Sequence, residues 1–511
     1  MTALIVHGHF YQPPRENPWT GNVEREFEAD PYHDWNERIH AECYGPNAFA
    51  HIIGPHGTIE RTINNYSHIS FNFGPTLSSW LERYHPKTYD RILDADRESA
   101  RKCGGHGNAI AQAYGHAILP LCNKQDRLTQ VVWGLADFRH RFRREPESLW
   151  LPETACNNET LDLLIEQGLR FVILAPAQAE QYKPAGSEEW QSVADNSIDT
   201  TCAYRYLHED GSGRSLAIFF YNGPVARAIA FEQALISSQA LVWLLKQAAP
   251  QGRLVNVATD GESYGHHFKF GDLSLAHMME IEARQEGFWV TNYGQFLDLY
   301  PAEAEVQIKQ GVEGEGTSWS CAHGVGRWIR DCGCHTGGLP GWNQMWRDPL
   351  RAALDFLRND AAKQFERFGG ELFTNPWAAR NAYIELILDH DRSREEFLER
   401  FAVRHFSPAD EFQALTLLEI QRYSLLMFTS CGWFFSELSG IETLQVMKYA
   451  ARVIELMHEL DLPSPRNQFL EIMSEAKSNI EEMGTGKDIY LRYAEPPIIA
   501  MQINGAEVTL S

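Results

Sequence analysis

Over the first 300 residues short apolar runs alternate with amphipathic stretches, a rhythm that predicts strand and helix in turn. ALIVHGH (3–9) predicts a buried first strand. The charged segment 77–102 predicts one long helix, with Trp80, Leu81, Tyr84 and Tyr89 as its apolar contacts. Next come ESLWLP (147–152) as a strand, TLDLLIEQG (160–168) as a helix closed by Gly168, and LRFVILA (169–175) as the following strand. SLAIFFY (215–221) and RLVNVAT (253–259) add two more strands, joined by the helical stretch AIAFEQALISSQALVWLLKQ (228–247). Repeated units of this kind favour a parallel sheet or a barrel.

The rhythm changes after Pro301. Residues 302–345 are rich in Gly, Trp, Cys and His, fit no period, and read as a long ordered loop. From Met345 onward the apolar residues fall at three- and four-residue spacing, in DPLRAALDFLRND, NPWAARNAYIELILDH, EFQALTLLEIQRYSLLMF and TLQVMKYAARVIELMHEL. The expected organisation is an α/β catalytic domain over 1–300, a loop region over 301–345 packing near the cleft, and an α-helical domain over 346–511.

Composition narrows the function. With 44% hydrophobic and 22% charged residues the chain is an ordinary globular protein, which excludes a disordered or fibrous one. A net charge of −23 argues against nucleic acid and anionic membrane surfaces as partners. No apolar run reaches the roughly 18 residues of a spanning helix, and MTALIVHGHF is too short and polar for a secretory signal, so a cytoplasmic location is expected. Nine cysteines spread through a long chain point to reduced thiols.

The chemistry-bearing residues cluster at predicted strand ends, where catalytic groups of parallel α/β folds collect. In HGHFYQPP (7–14), His7 and His9 project to one side of an extended chain and could grip a ligand. In LWLPETA (149–155) an apolar strand stops at Pro152 and Glu153 follows at once. In TDGESYGHH (259–267), Asp260 lies just past its strand, Gly261 allows a sharp turn, and Glu262, His266 and His267 follow. Each acid alone could be a helix cap or a loop residue. Two carboxylates from different strand ends in one cleft are what glycosidic bond cleavage needs, one ionised and one protonated.

These motifs resemble those of glycoside hydrolase family 57: a histidine-rich first strand, a W-L-P-E segment and a D-x-E-x-F-G segment, here with Tyr264 in place of Phe. The resemblance implies a distorted (β/α)7 barrel followed by helices, Glu153 as nucleophile, Asp260 as general acid/base, and no catalytic metal or other cofactor. The substrate implied is an oligo- or polysaccharide of the α-glucan class, cleaved or transferred by retaining double displacement. HGHFYQPP departs from the family's H-x-H-Q-P by the inserted Phe10 and Tyr11, and Gln12 is the candidate glutamine. YGHAILP (114–120) is similar to the second motif and nominates His116. GTSWSCAHGVGRW (316–328) is similar to a Ser-Trp-rich loop after the barrel, and LLMFTSCGWFFSE (425–437) is similar to a fifth motif carrying Trp433. The candidate sugar-binding residues are then His7, His9, Gln12, His116, Trp150, Glu262, His266, Trp319, Trp328 and Trp433. The density of tryptophans in the Gly-rich loop predicts that Trp319, Trp328 and Trp342 line the approach to the cleft.

CAHGVGRWIRDCGCH (321–335) offers Cys321, His323, Cys332, Cys334 and His335, enough ligands for a tetrahedral zinc. It lacks the C-x-x-C knuckle, and the reading preferred from spacing is reduced thiols beside an aromatic wall, ahead of zinc or a disulfide. Two rival functions fit the same residues. A metal-dependent hydrolase or deacetylase would use the His7/His9 pair with Asp260. A non-catalytic glycan-binding relative would keep the fold without the reaction.

Overall fold

The computed structural model describes residues 1–249, 252–389 and 393–496. The predicted helical domain therefore has its last residues, 497–511, outside the described part of the chain.

Seven parallel strands organise the first part of the molecule: β1 (Thr2–Phe10), β2 (Ser70–Phe73), β3 (Ala111–Gln112), β4 (Leu149–Trp150), β5 (Phe171–Leu174), β6 (Ser215–Phe220) and β7 (Leu254–Asp260). β1 pairs with β7, with β2 through His7–Phe10, and through Thr2–Leu4 with a further short parallel strand, Phe288–Val290. A bridge between Phe71 and Ala109 leads from β2 to β3, and β3 pairs with β4. A bridge between Ser148 and Phe171 joins β4 to β5, which pairs with β6. The circle closes where the Asn222 N–H, just past β6, donates to the Asn256 carbonyl of β7 at 2.8 Å. This is the (β/α)7 barrel the motifs imply. It is distorted because β3 and β4 are only two residues long and because β5 and β6 also belong to a mixed sheet. That sheet continues through Ala203–Leu207, Glu305–Ile308, Ala179–Lys183 and Gln191–Ser192.

The strands form where both faces are buried, so β1 and β7 read as nearly unbroken apolar runs. The helices between them differ from the sequence expectation at two points, each with a backbone reason. The segment 77–102 is two helices, Pro75–Tyr84 and Pro86–Lys102, because His85 precedes a proline and is driven out of the helical region to φ −131°, ψ 55°. The segment 228–247 is likewise divided into Gly223–Phe231 and Ser238–Gln247, with Gln233 left-handed and Ser237 capping the second helix through its side chain. Gly168 ends its helix as expected, at φ 77°.

The chain divides into two compact units, and the division is not a single cut. The first unit holds Met1–Gln12, Arg25–Tyr114 and Asp137–Trp319; the second holds Pro13–Glu24, Gly115–Ala136 and Ser320–Ser511. The second unit is helical. Arg347–Leu372, Pro408–Leu426 and Ile441–Glu459 are its long helices, and they bury Leu350, Leu354, Leu357, Leu417, Leu418, Val446, Val453 and Ile454. Ser407 caps the second of these helices with a reciprocal box to Asp410. Arg380 is buried against Asp126 at 2.7 Å, a pair that ties 115–136 into this unit. Among the described residues no helix is long and apolar enough to cross a membrane.

Candidate active site

The carboxyl ends of β1, β2, β3, β4 and β7 carry a connected set of polar side chains within the first unit. Register puts His9 beside Asn72 of β2 and beside Asp260 of β7, and His7 beside Ser70. His7 Nδ1 lies 3.0 Å from Ser70 Oγ and its Nε2 lies 3.1 Å from Asn72 Oδ1. The Asn72 amide nitrogen donates to His9 Nδ1 at 2.9 Å and to Gln112 Oε1 at 2.7 Å. One proton assignment satisfies this chain: His7 donates from Nε2 and accepts at Nδ1 from the serine hydroxyl, while His9 accepts at Nδ1 and keeps its proton on Nε2. Both rings are then neutral. Burial pushes both imidazoles down to about 3, in agreement. Trp150 stacks on both, at ring centroids 4.8 and 4.9 Å, and is itself almost fully buried.

Glu153 follows β4 in a turn with left-handed backbone at two successive non-glycine residues, Glu153 at φ 59° and Thr154 at φ 49°. Such conformations cost of order 1–3 kcal/mol each and persist where neighbours enforce them. Here the neighbours are specific. The Cys156 and Thr317 backbones exchange hydrogen bonds at 2.9 and 3.0 Å, and the Gln178 amide donates to the Thr154 carbonyl at 2.8 Å. The Trp319 backbone N–H reaches the Glu153 carbonyl at 3.0 Å, and its indole N–H donates to Glu153 Oε2 at 3.0 Å. The segment 316–319 thus holds the acid at both its backbone and its carboxylate. A hydrogen bond to the charged form favours ionisation.

Asp260 ends β7 with a solvent-accessible side chain that is nevertheless surrounded by protein atoms. That crowding, and then the charge of Glu153, raise its carboxyl to about 7. Glu262 is buried and raised to about 8, first by burial and then by Asp260. It accepts on Oε1 from the Tyr44 hydroxyl at 2.6 Å and from the Tyr11 N–H at 3.1 Å, so Oε2 is the place for its proton. Tyr221, packed edge-on to Trp319, is raised by burial and by Asp260. Gly261 matters for space: a Cβ there would meet the Phe10 ring at 2.3 Å. Its φ is not among the positive ones, so the sharp turn expected from its sequence position is not the reason it is glycine.

The structure therefore brings His7, His9, Trp150, Glu153, Asp260, Glu262 and Trp319 together in the first unit. Gln12 lies two residues past β1, with its amide on the Tyr11 carbonyl at 3.1 Å. His266 is half-buried and paired with Glu42. His116, Trp328 and Trp433 belong to the second unit and are buried there. His116 Nδ1 lies 2.6 Å from Ser430 Oγ, and the Trp328 indole donates to the Ser430 carbonyl at 3.1 Å. Trp433 donates to the Arg347 carbonyl at 3.3 Å and stacks on Phe428. Trp342 also belongs to the second unit.

Sequence reasoning missed Asn72, Gln112 and Tyr44. Asn72 and Gln112 are the hub and end of the histidine network, and in sequence they are inconspicuous polar residues in the short stretches SFNF and AIAQ. The Gln112 amide nitrogen is buried with no hydrogen-bond partner among the described residues, as is the Trp150 indole N–H. The metal rival finds no support in this geometry. Both His7 nitrogens are engaged, and His7, His9 and Asp260 do not form a converging ligand set among the described residues.

The family model described as Glycosyl hydrolase family 57 matches residues 7–309, and one described as Domain of unknown function (DUF3536) matches residues 342–511. A comparison with curated proteins finds no match. Among solved structures, an exo-type maltose-forming amylase from Pyrococcus sp. ST04 aligns with a TM-score of 0.68 at 15% identity, over 92% of this chain and 82% of that one. A branching enzyme from Pyrococcus horikoshii aligns at 0.53 and 14% identity, over 97% and 98%. An α-amylase from Thermotoga maritima aligns at 0.53 and 10% identity, over 96% and 99%. At such identities the likeness is one of fold.

Proposed function

The chain belongs to glycosyl hydrolase family 57, and from that membership we propose that it is a retaining enzyme of α-glucans, hydrolysing or transferring them with Glu153 as nucleophile and Asp260 as acid/base. The observation that carries this reading is the opposite electrostatic treatment of the two acids. Glu153 receives an indole N–H on its carboxylate, while Asp260 is held near neutrality by crowding and by the charge of Glu153 itself.

That coupling suits a two-step reaction. In the first step Asp260 protonates the leaving oxygen as Glu153 attacks the anomeric carbon and forms a glycosyl ester. The ester has no charge, so one of the two causes raising Asp260 disappears, and the carboxylate left behind can take a proton from the incoming water or sugar hydroxyl. The neutral His7/His9/Asn72/Gln112 network supplies directional donors and acceptors for sugar hydroxyls without adding charge. Location in the cytoplasm is part of the proposal, supported by nine cysteines that are all free of disulfides.

The test is product analysis on a panel of α-glucans with NMR of the first-formed anomer. Retention of the α configuration, lost in a folded Glu153→Gln variant, is the expected result. Inversion, or full activity in that variant, would overturn the assignment.

A further inference from the structure

In the second unit four side chains converge that the glucan chemistry does not use. Cys321 Sγ lies 3.8 Å from Cys332 Sγ and 3.7 Å from Cys334 Sγ, and Cys334 Sγ lies 3.4 Å from His323 Nδ1. All four ligand atoms fall within 4.8 Å of one another. A disulfide needs sulfurs about 2.05 Å apart, so no pair here is bonded. A tetrahedral zinc with Zn–S near 2.3 Å and Zn–N about 2.0–2.1 Å puts neighbouring sulfurs about 3.8 Å apart and sulfur to nitrogen about 3.5 Å apart. Three of the six edges, at 3.8, 3.7 and 3.4 Å, match that figure, and the others lie within 4.8 Å.

A second observation is independent of the distances. Arg347 is fully buried and has no carboxylate partner among the described residues. Its guanidinium donates to the carbonyls of Cys334 at 2.7 Å and Phe434 at 3.5 Å, lies over the Trp346 ring at 5.6 Å with the cationic Arg327 as a neighbour, and its Nε has no hydrogen-bond partner among the described residues. A buried cation without a counter-charge is costly. Backbone geometry also serves the cluster: Gly333, between Cys332 and Cys334, sits at φ 80°, which turns the C-G-C segment back on itself.

We propose that Cys321, His323, Cys332 and Cys334 form a structural zinc site, binding the ion through three thiolates and His323 Nδ1. Binding releases the three thiol protons, and the centre carries a net charge of −1, which is the counter-charge Arg347 lacks. Four protein ligands close the coordination sphere, so the ion has no open position for chemistry. It pins the loop 321–334 onto the start of the helix Arg347–Leu372, through the Cys334 carbonyl that Arg347 grips. The C-x-H…C-x-C spacing alone favours unligated thiols, and it is the convergence in space, which spacing does not report, that favours the ion.

Elemental analysis of the full-length protein, purified without chelator and dialysed, should find one zinc per chain. The double variant Cys321→Ser with Cys334→Ser should lose it to background and melt at a lower temperature. Because that variant can misfold, the wild type is also stripped with a strong chelator under reducing conditions and reloaded with cobalt. Visible bands of a tetrahedral, thiolate-rich cobalt site are expected, together with protection of three cysteines from alkylation. Absence of stoichiometric zinc in the wild type, iron in its place, a disulfide within 321–334, or cobalt bands of an octahedral site would each overturn the proposal. The outcome is independent of the glucan reading, which none of these results touches.

Discussion

Of the places that gather histidines with other potential metal ligands, the β1 pair and the loop 321–334 resolve in opposite ways. On β1 an H-x-H pair close to an aspartate has the look of a metal centre, yet both nitrogens of His7 are committed to Ser70 and Asn72, and His9 Nδ1 takes an amide proton from Asn72. In the loop 321–334 the spacing is unlike a familiar zinc motif, yet three sulfurs and a nitrogen face one another at ligand separations. The difference lies in the accounting of partners. Ring nitrogens that trade single protons with amides and hydroxyls belong to a hydrogen-bond network. Soft donors that converge at ligand separations, beside a buried cation without a carboxylate partner, suit an ion.

The largest test of this contrast is Glu153→Ala. Loss of the nucleophile should cut kcat on the order of 10⁴-fold or more, with an unchanged melting curve and unchanged zinc content. A folded variant with near wild-type turnover would remove Glu153 from the mechanism.

Asp260→Asn comes next. Turnover of glucans with poor leaving groups should fall about 10²- to 10⁴-fold, and that of activated aryl glycosides far less, because only the former need the proton. The wild-type rate should decline as pH rises through about 7, where Asp260 loses its proton. Stability follows the same sign. A folded carboxyl holding its proton to about 7 binds more protons than the unfolded chain, so stability is lost as pH rises from about 4 towards 7. Urea titrations at pH 5 and pH 8 should show that loss in the wild type and a smaller one in the variant. Equal slopes would mean that Asp260 is not raised.

Much of this was legible in the chain. LWLP and VATD end strands in apolar runs, which places Glu153 and Asp260 at a barrel rim without any coordinates. The barrel's strand number was legible through the motif resemblance and not through periodicity, because β3 and β4 contribute two residues each and no period survives in two residues. Asn72 and Gln112 were hidden for a related reason. Their role depends on which strands are neighbours, and β1 meets β2 and β7, which lie far from it in sequence. The break at Pro86 was readable from the residue before a proline. The zinc ligands were named from sequence, but their convergence depends on the turn at Gly333.

Trp319→Phe gives a smaller effect. The ring stays and the indole N–H to Glu153 is lost, a hydrogen bond to a charged group worth about 1.5–3 kcal/mol, or roughly 10- to 150-fold in rate. Wild-type turnover in a folded Trp319→Phe variant would make Trp319 a packing residue only.

The smallest expected change is the most direct on the comparison. Nitrogen-15 spectra of the imidazoles should show His7 and His9 neutral between about pH 5 and 8, and Asn72→Asp should make at least one of them titrate in that range. Titration of either ring in the wild type would break the neutral network.

The division of the chain into two units has a consequence for engineering. Residues 13–24 and 115–136 lie within the stretch matched by the glycosyl hydrolase family, yet they pack in the second unit. Trp19 donates to Glu455 at 2.6 Å, Gln445 to the Glu16 carbonyl at 2.9 Å, and Thr129 to Asn381 at 2.6 Å. A truncation at the seam between the two family matches would strip these segments of their partners and expose Trp133 and Asp126, which are closed off by 380–381. The two matched regions are therefore poor candidates for shuffling as separate cassettes. A chain that exchanged one region alone would lose these contacts.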